Sequence, residues 1–515
     1  MQQLTTLVRD GRALAALAVP LALTQLAQVA LTTTDTIMMG VLGTEALAAG
    51  GLALVIFNQL RTMGVGLVTS VGNQVAAAAA RAERSTGNPD AEAGADTATT
   101  AEAGTEAGTE AATTAEAGTE AATTAEAGTE AATAAGPGDE VRGLVRAAMA
   151  VATLAGVAGA ALMVLIGQAA TLLGQDATVA DRAQGMLLAL APGLLPCLWF
   201  QAIRQFTVGM RRPQALLRIT VVSVAVNAAL NWAFIHGTWG MPTLGLTGIG
   251  VATSCVHLLS FLALYGSARR DPQLAPLLGL DFWRADAATV RRLLGLGTPI
   301  AATYGSEAGF FSVTALLAGS FGAAALAAHT AVNQLIYIVF QVAVGLSHAA
   351  SINVSRELAL GAYAAARRIR NTALACGAVV MAVVGTVYLT LPDLVLRPYF
   401  DPGSAADRQG LEIATGLLAV VAVLQFFDCA QNIGVGLLRG LDDTGSGFRI
   451  TLVGYWLVGL PAAWLLAYPL GGDTLGLWFG LLIGLATTAV LLLRRYGRAL
   501  TARAGAAPAV ATPAV

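Results

Sequence analysis

Twelve apolar runs, each about twenty residues or longer and separated mostly by short connections that carry arginine, recur along this 515-residue chain. About 20 mostly apolar residues is what an α-helix needs to cross the hydrocarbon layer, where backbone groups have no water to bond and must be satisfied within the segment. The runs fall at about 13–38, 47–79, 144–172, 184–208, 214–236, 246–268, 288–317, 322–350, 368–392, 411–437, 447–469 and 475–494. Composition points the same way, with 56% hydrophobic and only 12% charged residues, about half the charged share of a soluble chain. The expected fold class is an all-α integral membrane protein with twelve transmembrane helices. Arg9 and Arg12 before the first run resemble the start of a signal peptide. The run is too long for a signal-peptide core, so it reads as the first span.

Every basic residue is arginine, and the 29 of them sort by side. With both termini cytoplasmic, the inner connections and adjoining span ends hold 25; the outer ones hold only Arg182, Arg397 and Arg408, and Arg61 lies within the second run. A wrong span count would scramble this alternation, so the positive-inside rule supports both the count and the orientation. The net charge of −2 conceals an acidic segment, because 12 acids and no base stand between Arg84 and Arg142. That segment, residues 85–140, repeats Ala-Glu-Ala-Gly-Thr-Glu-Ala-Ala-Thr-Thr without an aromatic or large aliphatic residue. It has nothing to bury and is expected to be a disordered cytoplasmic tether, a tolerated insertion or a partner-binding loop.

The two halves of the chain repeat. Val19-Pro20-Leu21, Gly40, Gly43 and Ala46-Leu47-Ala48-Ala49 recur as Thr298-Pro299-Ile300, Gly319, Gly322 and Ala325-Leu326-Ala327-Ala328, at an offset of 279. Gly209, Arg218-Ile219-Thr220 and Leu244-Gly245-Leu246 recur as Gly440, Arg449-Ile450-Thr451 and Leu475-Gly476-Leu477, at an offset of 231. The difference, 279 − 231 = 48, is close to the length of the acidic segment. Six spans per half give both halves the same orientation, a parallel pseudo-twofold repeat of two six-helix bundles that face one another across a central cleft. The expected units are an N-lobe (1–268), a linker (269–287), a C-lobe (288–496) and a disordered tail (497–515).

Ionisable residues within spans are costly and mark function by default. Three acids qualify: Asp35 in span 1, Glu307 in span 7, one turn after Tyr304, and Asp428 in span 10, between Gln425 and Asn432. Each is a candidate proton acceptor, or a Na⁺ ligand through its oxygens; the plainer alternative is an inter-helix hydrogen bond. Asn227 and Asn231, one turn apart, present two amides on one face of span 5, to a neighbouring acid or as glue between helices. The four histidines and four cysteines are scattered, without metal spacing or a disulfide framework.

Thr34-Asp35-Thr36-Ile37-Met38-Met39-Gly40, Gly295-Leu296-Gly297-Thr298-Pro299-Ile300 with Glu307, and Ala327-Ala328-His329 with Asn333 together resemble the multidrug and toxic compound extrusion family. Phe426-Phe427-Asp428 with Gln431, Leu438-Arg439-Gly440-Leu441-Asp442-Asp443-Thr444, and Tyr455-Trp456 with Gly459-Leu460-Pro461 extend the resemblance, most closely to its bacterial NorM-like branch. It implies a cation-coupled antiporter, driven by H⁺ or Na⁺, that exports amphipathic or cationic drug-like molecules by alternating access through a V-shaped cleft between two lobes. Asp35, Asn227, Asn231 and Thr253 map onto an N-lobe ion-coupling or substrate site. Glu307, Asp428, Tyr304 and Gln425 map onto a C-lobe ion-coupling site. The resemblance further implies a monomer in the bacterial cytoplasmic membrane, with no cofactor beyond the coupling ion, no nucleic-acid partner, and no metal unless Na⁺ sits at these carboxylates. Two departures stand out, Leu424 where some relatives carry tyrosine and Val354-Ser355-Arg356-Glu357 after span 8.

Two other functions fit less well. A lipid-linked oligosaccharide flippase needs a strongly cationic cleft for its pyrophosphate, whereas these arginines sit in loops and at span ends, with Arg61 and Arg204 as exceptions. A membrane-embedded transferase needs clustered carboxylates for Mg²⁺, and only Asp442-Asp443 is adjacent, so no enzyme is expected.

Overall fold

A computed structural model describes residues 2–85, 137–169, 177–401, 403–404 and 407–506, and no strand occurs among them. The N-lobe comprises α1 (Gln2–Val41), α2 (Thr44–Ser85), α3 (Pro137–Ala169), α4 (Ala177–Gly209), α5 (Gln214–His236) and α6 (Gly245–Arg270). The C-lobe comprises α7 (Ala287–Gly319), α8 (Ala323–Ala359), α9 (Tyr363–Thr390), α10 (Arg408–Gly440), α11 (Thr444–Ala467) and α12 (Asp473–Ala506). Among the described residues, eleven of these helices are long and apolar enough to cross a membrane. The twelfth, α7, is 33 residues long, but Tyr304, Ser306 and Glu307 dilute its apolar middle.

The repeat seen in sequence is a repeat of packing. In the N-lobe α4 packs on α2, α3 and α6, while α5 packs on α1 and α6; in the C-lobe α10 packs on α8, α9 and α12, while α11 packs on α7 and α12. Pro20 in α1 and Pro299 in α7 lie 279 apart, and in each helix a threonine one turn later returns its hydroxyl to the proline carbonyl: Thr24 at 2.7 Å and Thr303 at 2.8 Å. Back-bonding of this kind tends to bend a helix, and the same local feature is made once in each lobe.

The lobes meet at the arginine-rich ends of their helices, α1 against α8 and α2 against α7 and α8. A Cβ on Gly66 of α2 would lie 2.6 Å from Ala301 Cα on α7, and one on Gly345 of α8 would lie 2.7 Å from the Ala22 amide nitrogen on α1. Gly66 and Gly345 are 279 apart, and so are Ala22 and Ala301, so one close backbone crossing is made twice about the pseudo-twofold axis. Polar bridges reinforce the contact. Asn73 donates to Ser351 at 2.9 Å, Gln74 donates to Asp442 at 2.7 Å, and Glu83 pairs with Arg356.

Two boundaries differ from the sequence reading. The end of the expected tether is ordered, because α3 begins at Pro137 and includes Asp139 and Glu140, which pair with Arg142 and Arg81. Residues 86–136 lie outside the described residues. The expected tail begins later, since α12 runs on to Ala506, with Tyr496 and Leu500 buried against the lobe. Residues 507–515 lie outside the described residues. The linker between lobes is pinned to the N-lobe by Arg146–Asp281 at 2.9 Å and Arg212–Asp271 at 2.7 Å.

One helix is irregular where it matters. Residues Val453–Gly459 of α11 form a π-helical stretch that ends just before Pro461. Proline has no N–H for the carbonyl one turn back, and widening the helix relieves both that loss and the ring clash. Gly480 and Gly484 of α12 press close on Ala463 and Gly459, and the widened turn carries Tyr455 and Trp456.

Candidate functional site

A cleft of about 1360 Å³ opens between the lobes. Its floor lies within one turn of the glycine crossings, at Gln25, Val65, Tyr304 and Val344, which are again two pairs 279 apart. Glu307 and Asp428 line the C-lobe wall, with Gln28, Arg61, Gln201 and Arg204 on the N-lobe wall. A second pocket, of about 600 Å³, runs into the N-lobe and holds Asp35, Asn58, Thr253 and His257. Gln28, Thr32, Arg61 and Gln201 line both, so the two spaces adjoin.

In the N-lobe the structure brings four sequence-selected residues together. Asp35 is 1% exposed. Asn227 and Asn231 donate their amide N–H groups to its Oδ1 at 2.6 and 2.8 Å, and the Thr253 hydroxyl donates to Oδ2 at 3.1 Å. The one-turn spacing on α5 aims both amides at α1, and α6 closes the third side. The carbonyl oxygens of Asn227 and Asn231 are buried without a partner. The cluster is therefore three donors around one carboxylate, with two acceptors held in reserve.

The C-lobe arrangement differs from the expected one. Asp428, 4% exposed, accepts at Oδ1 from Gln431 at 3.2 Å and Asn432 at 3.3 Å. Gln425 turns away and donates to the Met381 carbonyl of α9 at 2.9 Å, so it braces a helix rather than an acid. Tyr304 lies under the Arg439 guanidinium, 5.3 Å from ring centre, and also leaves the acids alone. Their places are taken by Gln431 and Tyr455. The Tyr455 hydroxyl donates to Gln431 Oε1 at 2.7 Å and lies close enough to Glu307 to act on its carboxyl. Neighbouring polar groups thus line up as Glu307, Tyr455, Gln431 and Asp428 across α7, α11 and α10. Ring stacking of Tyr455 on Phe310 at 4.8 Å, and the Trp456 bond to Ser306 at 2.8 Å, hold the π-helical turn against α7.

Gln431 and Tyr455 stand in the motifs that carry the family resemblance. Gln431 lies three residues after Asp428 on the same helix, a spacing that could have pointed to it, but no spacing rule ties Tyr455 to an acid 27 residues away. The pseudo-symmetry also shows how unequal the lobes are. The C-lobe counterpart of Asp35 is Thr314, while the N-lobe counterparts of Glu307 and Asp428 are Gln28 and Cys197. Each lobe keeps the frame and places its acids at different positions on it.

Comparison with known proteins gives one consistent result. The model of the MatE family matches residues 113–233 and 299–465. A probable multidrug resistance protein NorM from Pseudomonas aeruginosa is 35% identical over 486 residues, covering 93% of this chain and 87% of that protein. Its namesake from Bradyrhizobium diazoefficiens is 34% identical over 483 residues, covering 93% and 91%. Among solved structures, the Vibrio cholerae MATE transporter VcmN in the bent form superposes with a TM-score of 0.72 at 16% identity, covering 97% of this chain and 98% of that one.

Proposed function

This chain belongs to the MatE family, and from that membership we propose that it is a NorM-type, proton-coupled antiporter exporting amphipathic or cationic drug-like molecules across the bacterial cytoplasmic membrane. The observation that carries the ion assignment is the set of donors on Asp35. Three hydrogen bonds suit an ionised carboxylate, and an oxygen that gains a proton has less capacity to accept them. A protonated Asp35 becomes a donor, and the unpartnered Asn227 and Asn231 carbonyls are the acceptors it needs once an amide rotates. Proton uptake then exchanges one set of α1–α5 contacts for another. Such an exchange gives the proton a differential affinity for two packings of the lobes, the only means by which a bound ion can shift the equilibrium between them.

By the positive-inside rule the arginine-rich ends face the cytoplasm, so this packing is closed inside and its cleft opens outward. Arg61, Arg204 and Arg439 flank the cleft and the sites of Asp35, Glu307 and Asp428. With all three acids ionised these six groups sum to zero charge, and with all three protonated they sum to +3. Protonation from outside therefore turns the cleft against a bound cation and favours its release there.

The coupling ion is tested with purified protein in vesicles loaded with ethidium, imposing a pH gradient or a Na⁺ gradient, each alone. Ethidium transport is expected under the pH gradient. Transport driven by Na⁺ alone would refute the proton assignment. Tyr455→Phe tests the C-lobe relay, since it removes one hydroxyl and keeps the packing on Phe310. Loss of a net hydrogen bond worth about 0.5–1.5 kcal/mol predicts export slowed by roughly two- to tenfold, with protein levels unchanged. Wild-type efflux rates would show the relay to be idle.

A further inference from the structure

The N-lobe wall of the cleft holds two cations that the export of a simple cation leaves unused. Arg204 on α4 is 3% exposed and touches only neutral amides: Nη1 donates to Gln201 Oε1 at 3.0 Å, and Nη2 donates to Gln25 Oε1 at 3.1 Å. Arg61 on α2 donates from Nε to Asn58 Oδ1 at 3.2 Å. Among the described residues neither is ion-paired, and Arg61 and Tyr304 are the ionisable groups that act on Arg204. Arg204, withdrawn from water without an anion and beside the partly exposed Arg61, carries a desolvation penalty that a neutral side chain would avoid. Packing alone does not account for them, because Gln25 and Gln201 could bond a neutral partner equally well. A guanidinium has five N–H donors; Arg204 uses two here and Arg61 one, so both retain the fork that recognises a carboxylate or sulfonate.

The opposite wall has the other sign. Glu307 and Asp428 line it, with Arg439 stacked over the Tyr304 ring and His348 lining the cleft within the influence of both Arg439 and Arg204. Phe311, Ile336, Tyr337 and Phe340 of α7 and α8 add apolar surface to the lining. The cleft is thus cationic on the N-lobe side, and acidic with a broad apolar surface on the C-lobe side.

We propose that Arg61 and Arg204 form an anion-recognition subsite, and that the cleft selects amphipathic zwitterions whose carboxylate or sulfonate binds this pair while the cationic end faces Glu307 and Asp428. The assignment rests on the export reading above and deepens it. Rhodamine B, with a free carboxylate, and its ethyl ester, with the same cationic ring system and the anion masked, are the matched probes.

Purified protein in vesicles under a pH gradient is expected to carry rhodamine B. The ratio of acid to ester transport should fall about 30-fold in Arg204→Gln, the loss expected when one partner of a buried charge pair is removed, and by a smaller factor of about three- to tenfold in Arg61→Gln, whose guanidinium is partly exposed. Arg61→Lys, which keeps the charge, should retain most of the ratio. An unchanged ratio in both glutamine variants overturns the subsite. If wild-type protein carries neither dye, it is the export reading that fails. Equilibrium binding to the wild-type protein, read by dye anisotropy, then decides the subsite alone. The acid should bind more tightly than the ester, and equal or weaker binding overturns the proposal. The same binding measurement decides the matter if the variants fail to fold.

Discussion

Asp35→Asn is expected to abolish export while leaving the protein in the membrane at wild-type levels. The substitution is nearly isosteric, and an amide oxygen still accepts from Asn227 and Asn231. Thr253, whose hydroxyl now meets an N–H group, can reverse its role and accept. The cost to folding is therefore at most about one net hydrogen bond, roughly 1 kcal/mol. What disappears is titration: the site keeps one pattern of donors at every pH, so a proton gradient no longer distinguishes the two packings of the lobes. Ethidium efflux from cells that express the variant, alongside a membrane-fraction blot, checks both halves of the expectation. Full efflux by this variant would remove Asp35 from the coupling mechanism.

The second large effect is expected far from any acid. Gly66→Val and Gly345→Val each place a branched side chain where even a Cβ would stand 2.6 or 2.7 Å from the backbone of the opposite lobe. Neither neighbour is the flexible end of a side chain, so relief requires α2 and α7, or α1 and α8, to move apart. Overpacking of this kind costs about 1–3 kcal/mol, which reduces the population of the packing with closed arginine-rich ends by roughly 5- to 150-fold relative to the alternative. Because the two crossings are pseudo-equivalent and act on one interface, the double variant should be trapped almost completely. Export is expected to collapse in both single variants. A cysteine placed at Gln25, on the cleft floor, should become reactive toward a membrane-impermeant maleimide from the arginine-rich face. Wild-type export together with an unreactive cysteine would mean that these crossings do not close the cleft.

The two expectations differ in how far each could be read from residue order. Asp35 was legible because a carboxylate within an apolar run is anomalous in any fold, and Asn227 and Asn231 because a one-turn spacing puts two amides on one face. Glu307 and Asp428 were legible on the same ground. Their surroundings were not. Gln425 and Tyr304 lie one turn from an acid along their own helices, yet their side chains turn to the Met381 carbonyl and the Arg439 guanidinium. Tyr455, 27 residues beyond Asp428 and on a different helix, supplies the link to Glu307 instead. Its aim depends on the π-helical turn before Pro461, which shifts side chains around the helix relative to an α-helical count.

From residue order alone came the apolar runs, their orientation, the doubled architecture and the buried acids, since each follows from a local cost: lipid against water, charge against hydrocarbon. The offset of 279 already related Gly66 to Gly345 and Ala22 to Ala301, as members of the same set within their own halves. Which member of one half touches which member of the other was decided only by the tertiary structure. A twofold relation between lobes fixes equivalence but not contact; that is settled by how two bundles pack, where backbone meets backbone without an intervening Cβ. The same packing brings Arg61 and Arg204 to face Glu307 and Asp428, and so turns scattered exceptions in the charge pattern into the two walls of one cleft.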